Sequence, residues 1–256
     1  MKRPQKNAVL TVGGGALTMT LLTACPQPLP PPTFTTLEFR FPETAQANAL
    51  TLAAIYFVDG SDPAQRAGVR VLATGNLNRD RQFVYPGGPN AGAAVNGGTL
   101  QLASYALEPL QKNPACLRSF KTRINEAPKL QDVAVTPETV RTCDVYFTLF
   151  RDADGDGKPT EGEELFNTHD IYSYADAAFT YSFSSTDGRS QERGARVAGW
   201  SLVRHEVLQP TATPGQYRVT MNSVPTEDQG LTIRLHEPTD RLISMGLKTV
   251  DRGGLK

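Results

Sequence analysis

Apolar and polar residues alternate with a period of two along much of the chain, the spacing of a strand with one buried face. Leu37, Phe39 and Phe41 share one face of residues 36–41. Residues 50–58 form a fuller apolar run, as for a strand covered on both sides. Further strands are predicted at 69–73, 99–103, 143–150, 178–184, 197–208, 216–221, 231–236 and 242–247. Turn-forming residues separate them: Asp59-Gly60, Pro86-Gly87-Gly88, Asn96-Gly97-Gly98, Asp187-Gly188 and Pro214-Gly215. No segment sustains a capped apolar stripe of helical period, and short helical turns are predicted only near 43–48 and 105–111.

Many short strands with regular turns predict an all-β chain, a β-sandwich that is immunoglobulin-like in the broad sense. A polar stretch at 125–138, with Pro128 and Pro137, reads as a break between a β domain at 34–124 and a β-sandwich domain at 139–250. A bridge between Cys116 and Cys143 would cross that break. Two packed small sandwiches and one large one therefore both stay open.

The N-terminus departs from this pattern. Lys2, Arg3 and Lys6 precede an apolar stretch diluted by Gly13, Gly14 and Gly15, too weak for a permanent span. It ends in Leu22-Thr23-Ala24-Cys25. That ending resembles the lipobox of bacterial lipoproteins: an aliphatic residue, two small residues, then cysteine. The resemblance implies a signal peptide at 1–24, cleavage before Cys25, and acyl chains on Cys25 that hold the protein to a membrane. The soluble part is then expected outside the cytoplasm, at the cell membrane or the outer membrane. Pro26, Pro28, Pro30, Pro31 and Pro32 follow, favouring extended polyproline II at ~3.1 Å per residue, so 25–33 reads as a lipidated tether.

With Cys25 assigned to lipid, Cys116 and Cys143 remain of the three cysteines. An oxidising compartment predicts a disulfide between them, worth ~3 kcal/mol by loop closure. The 26 basic and 26 acidic side chains balance over the full chain. Losing the signal segment leaves the remainder slightly acidic. With no basic run carrying interleaved aromatics, nucleic acid is not an expected partner.

Residues 152–163 read Asp-Ala-Asp-Gly-Asp-Gly-Lys-Pro-Thr-Glu-Gly-Glu. This resembles the calcium loop of EF-hand proteins. The resemblance implies ligands from Asp152, Asp154 and Asp156, the Lys158 carbonyl, Thr160 through water, and a closing Glu163. Gly157 stands where that loop turns sharply. The flanks depart from the family: the segment before the loop reads as a strand, and Pro159 has no amide to offer a partner loop. The expectation is a lone structural calcium site between β elements, with calcium as the cofactor.

No catalytic constellation is legible. His205-Glu206 lacks the second histidine of a zincin motif, and Gly199-Trp200-Ser201-Leu202-Val203 misses the last glycine of a nucleophile elbow. His236-Glu237 runs straight into Pro238, and His169 and Asp170 read as ordinary surface or strand positions, although their side chains are suited to metal binding or catalysis. Phe179, Tyr181 and Phe183 share a strand face and read as core; Trp200 reads as core or a half-buried anchor. The expected function is a lipid-anchored, non-enzymatic, calcium-stabilised β-sandwich that binds or supports an envelope glycan, protein or extracellular component. The alternatives are an envelope hydrolase acting on glycan or peptide, and a calcium-dependent adhesion module.

Overall fold

The computed structural model describes residues 33–42, 50–58, 68–78, 95–127, 129–160, 162–208, 215–224 and 232–237. All lie within the unit Pro32–Lys256. The signal segment 1–24, Cys25, the turn predicted at 43–48 and the strand predicted at 242–247 lie outside the described residues.

The strands are β1 (Phe34–Pro42), β2 (Leu50–Phe57), β3 (Val69–Thr74), β4 (Asn76–Asn78) and β5 (Val95–Ala103). A short helix α1 (Ser104–Leu107) runs into a 3₁₀ turn at Glu108–Lys112. Then come β6 (Arg118–Ser119), helix α2 (Phe120–Asn125), β7 (Leu130–Thr136), β8 (Arg141–Arg151), β9 (Glu164–Asn167) and β10 (Ile171–Ala175). The last are β11 (Phe179–Ser185), β12 (Ser190–Arg196), β13 (Gly199–Leu208), β14 (Tyr217–Ser223) and β15 (Ile233–Arg234).

The chain is all-β, as the alternation predicts. Among the described residues the strands form a four-stranded sheet, β15-β1-β5-β4, and an 11-stranded sheet, β3-β2-β8-β10-β13-β14-β12-β11-β7, with β6 and β9 also paired to β8. Two pairings are parallel, β1 with β15 and β12 with β14.

The strand β8 shows why the sheets meet where they do. Its odd positions Cys143, Val145, Phe147 and Leu149 join Leu37, Phe39, Phe41, Leu100 and Leu102 in one core between the two sheets. Its even positions face the other way, where Phe150 joins Ala53, Ile55 and Val69. Burial on both faces makes β8 the central strand. A second core lies among Phe120 and Ile124 of α2 and the inward residues of β10, β11, β13 and β14. Helix α2 starts at Ser119, whose hydroxyl accepts the Thr122 amide at 3.2 Å. It then buries Phe120 and Ile124, one turn apart.

Three stretches differ from their sequence reading. The polar segment 125–138 carries β7, which pairs with β11. Asn96, Gly97 and Gly98, read as a turn, lie inside β5; all three pair with β1, and Gly97 and Gly98 also pair with β4. A Cβ at Gly98 would lie 3.1 Å from both the Asn76 carbonyl and the Leu52 side chain, so close packing, not a turn, favours glycine there. Ser190–Arg196 form β12, whose inward positions are Ser190, Glu192, Gly194 and Arg196. Pairings also cross the stretch 125–138: β2 pairs with β8, and β15 with β1.

Candidate functional site

The strand β8 ends at Arg151 and β9 begins at Glu164, so residues 152–163 connect two antiparallel strands. The Arg151 amide donates to the Glu163 carbonyl at 2.9 Å and closes the neck of the loop. Inside it, each aspartate turns the backbone around itself. Asp152 Oδ2 accepts the Gly157 amide at 3.1 Å, Asp154 Oδ1 the Asp156 amide at 3.0 Å, and Asp156 Oδ1 the Lys158 amide at 2.7 Å. Gly155 and Gly157 hold φ of 76° and 73°, where a side chain is strained although there is open space for it.

This curvature brings Asp152, Asp154 and Asp156 together, with one carboxylate oxygen of each within 4.8 Å of the others. Carboxylates this close repel one another unless a cation neutralises them. Asp152 Oδ1 is also buried, with no hydrogen-bond partner among the described residues. An unmatched buried oxygen beside two further carboxylates fits a hard cation, which binds oxygen ligands.

Glu163 does something else. It is not part of that group of three. Its Oε1 accepts the Ala153 amide at 2.8 Å, and its Oε2 accepts the Thr160 amide at 2.9 Å together with the Thr160 hydroxyl. Those Thr160 bonds, with the Ala153 amide adding to them, pull its carboxyl down to about 2. Glu163 and Thr160 thus fasten the two ends of the loop in this conformation, while the three aspartates make up a separate carboxylate cluster. Lys158 is exposed, its ammonium 4.0 Å from Asp156.

Cys116 and Cys143 are joined by a disulfide, with Cα atoms 4.9 Å apart. It ties the turn before β6 to the central strand, and both sulfurs lie in the core between the sheets.

A cavity of about 460 Å³ opens beside β1 and α1. Phe34, Tyr172, Trp200, Glu108 and Gln111 contribute to its wall. Tyr172 and Trp200 stack face to face, with centroids 5.4 Å apart and planes 6° off parallel. Phe34 is half exposed at its rim. Trp200 is half-buried, while Phe179, Tyr181 and Phe183 are core residues.

Charge is also buried where the sequence offered no motif. Asp144 of β8 accepts the Ser173 hydroxyl at 2.6 Å and pairs with Arg123 at 2.9 Å and Arg196 at 3.6 Å. Burial pushes its carboxyl up, but the two guanidinium groups outweigh this and hold it below the usual range. Arg196 lies over the rings of Phe120, Phe179 and Tyr181 at 5.2 to 5.7 Å. The Tyr181 hydroxyl donates to Glu192 at 2.8 Å.

The three histidines come together in space. The His169 ring stands 4.6 Å from that of His205 and 5.0 Å from that of His236, and all three line a second cavity. Their separation in sequence hid this. No protein-family model matches the chain, and no curated protein or solved structure matches it either.

Proposed function

We propose that this protein is a lipid-anchored, non-enzymatic envelope module: a β-sandwich stabilised by calcium that binds or supports a cell-envelope or extracellular component. The anchor is Cys25, within Leu22-Thr23-Ala24-Cys25 and ahead of the proline-rich tether. The observations that carry the calcium reading are the convergence of Asp152, Asp154 and Asp156 and the buried, unmatched Oδ1 of Asp152. The loop's sequence also implies the Lys158 carbonyl, Thr160 and Glu163 as ligands, and of these Glu163 would have to share oxygens that now accept from Ala153 and Thr160. Calcium would join carboxylates that otherwise repel, and so hold the β8–β9 connection.

The cleft beside Tyr172 and Trp200 is the face we assign to the bound component. Its volume lies in the range of ligand sites, and its wall mixes aromatic faces with Glu108 and Gln111, a combination suited to a glycan. The rival reading is a hydrolase. The histidine cavity has one carboxylate in its described wall, Asp170, which is tied to the His205 amide and to Arg204. That arrangement favours binding over bond cleavage.

Thermal unfolding of the full chain in calcium and in EDTA tests the reading. Calcium at ten times its dissociation constant stabilises by about 1.4 kcal/mol, or roughly 3–6 °C for a domain of this size. The wild type should gain this and an Asp154→Ala, Asp156→Ala variant should not. Equal midpoints with and without calcium in the wild type would leave the loop as a solvated acidic turn.

A further inference from the structure

The chain enters β1 beside helix α1. The Thr33 carbonyl accepts the Ser104 amide at 2.9 Å, and Phe34 pairs with Ala103 across β1 and β5. The start of β1 and the start of α1 therefore lie side by side. Both contribute to the wall of the larger cavity, through Thr33 and Phe34 and through Ser104 and Leu107.

This end of the fold also carries apolar surface that no core uses. Phe34 is 50% exposed and Tyr105, in α1, is 66% exposed. Left in water, Phe34 forgoes the burial free energy that Phe39 and Phe41 of the same strand gain. Charge nearby is balanced, because Lys112 pairs with Glu108 at 4.0 Å. Aromatic side chains are favoured at the boundary of lipid and water, where a ring leaves bulk water and a Tyr hydroxyl stays wet.

The length of chain ahead of β1 selects the partner. Residues 26–32 separate Cys25 from Thr33. At ~3.1 Å per residue, a polyproline tether of this length reaches about 25 Å. Acyl chains on Cys25 would therefore keep a bilayer within that reach of the start of β1. An encounter on a short tether is intramolecular, so a contact too weak to recruit a free protein is still made. A soluble protein partner has no such tie to this end of the fold.

We propose that the surface carrying Phe34 and Tyr105 docks on the membrane that holds the anchor, with both rings resting among the lipid headgroups. This rests on the lipid-anchor reading of Cys25 and is independent of the calcium loop. Docking turns the cleft beside Tyr172 and Trp200 toward the lipid, so a component held in it is one displayed at the membrane surface.

Trp200 is the single tryptophan of the chain and lies in the cavity wall with Phe34, so its fluorescence reports on this end of the fold. The full chain is produced in a bacterium, extracted in detergent and reconstituted with phosphatidylcholine vesicles, with and without a nitroxide on the lipid headgroup. Flotation reads the anchor, and nitroxide quenching of Trp200 reads the docking. Protein that floats with Trp200 quenched is the expected result. Joint replacement, Phe34→Ser with Tyr105→Ser, should remove at least half of the quenching with unchanged flotation and circular dichroism. Each single variant should remove part of it, which decides the matter if the double variant does not fold. Flotation without quenching overturns the proposal and leaves the anchor standing, as does undiminished quenching in the variants. Failure of the wild type to float overturns the anchor reading and this proposal with it.

Discussion

The Phe39 ring stands edge-on to that of Phe147, with centroids 5.1 Å apart, and so joins the two sheets across their shared core. Both rings are almost fully buried. Truncating Phe147 to alanine removes its packing and leaves a cavity, at a cost of about 3–5 kcal/mol. The half-exposed Phe34 on the same strand as Phe39 serves as control, and Phe34→Ala should stay within about 0.5 kcal/mol. Urea unfolding of both variants checks this. Equal losses would mean that the sheets are not held through this contact.

Asp144 neutralises two arginines inside the protein. Asp144→Asn leaves Arg123 and Arg196 without their shared counter-charge, which should cost about 3–5 kcal/mol. The pH dependence has a definite sign. The folded carboxyl titrates below its ordinary value, so its stabilisation is complete above the unfolded value near 3.9 and is lost as pH falls through the lower folded value. The urea midpoint of the wild type should therefore fall more steeply below about pH 4 than that of Asp144→Asn. Parallel curves would assign acid sensitivity to other carboxylates.

Gly194 of β12 faces the Tyr181 ring. A Cβ there would come within 2.3 Å of the ring and 2.4 Å of the Met221 carbonyl. Ring and backbone cannot both move cheaply, so Gly194→Ala should destabilise by at least the ~1–3 kcal/mol of ordinary overpacking. Pairing it with Tyr181→Leu should recover part of the loss. Absence of any recovery would place the strain at the carbonyl instead.

The Cys116–Cys143 bridge closes a chain segment that includes α2 and β7. Replacing both cysteines by serine should cost about 2–4 kcal/mol. The same loss should follow reduction of the wild type, measured by its unfolding midpoint with and without reductant. A double variant indifferent to reductant yet as stable as the oxidised wild type would show that the bridge adds nothing.

The cleft prediction concerns binding. Trp200→Ala should reduce retention of the full chain on isolated envelope glycan, while the unfolding midpoint shifts far less than in Phe147→Ala. Unchanged retention would remove the cleft from the proposed function.

How much of this was written in the sequence depends on the range of each interaction. The β8–β9 loop was legible because its aspartates and glycines are all local, and spacing alone brings three carboxylates together. The strand β8 was legible because its odd positions Cys143, Val145, Phe147 and Leu149 are apolar at a period of two. The strand β12 was not. Its buried positions are Ser190, Glu192, Gly194 and Arg196, which a hydrophobic pattern counts as exposed. Their burial is tolerated because Tyr181 donates to Glu192 and aromatic faces cover Arg196. The strand β7 was hidden in the same way by a polar sequence that finds its hydrogen bonds on β11.

The period of two, and with it the all-β class, the disulfide pair and the acidic turn were readable from residue order. Each depends on neighbours along the chain or on the simple pairing of two cysteines. Which polar residues are buried, and that His169, His205 and His236 meet, follows from how the strands pair. The pairing of β10 with β13 and the bridge from Asn167 to His236 gather these distant residues. A contact made by strand pairing leaves no periodic trace in the segments it joins, because register is fixed between strands and not within them.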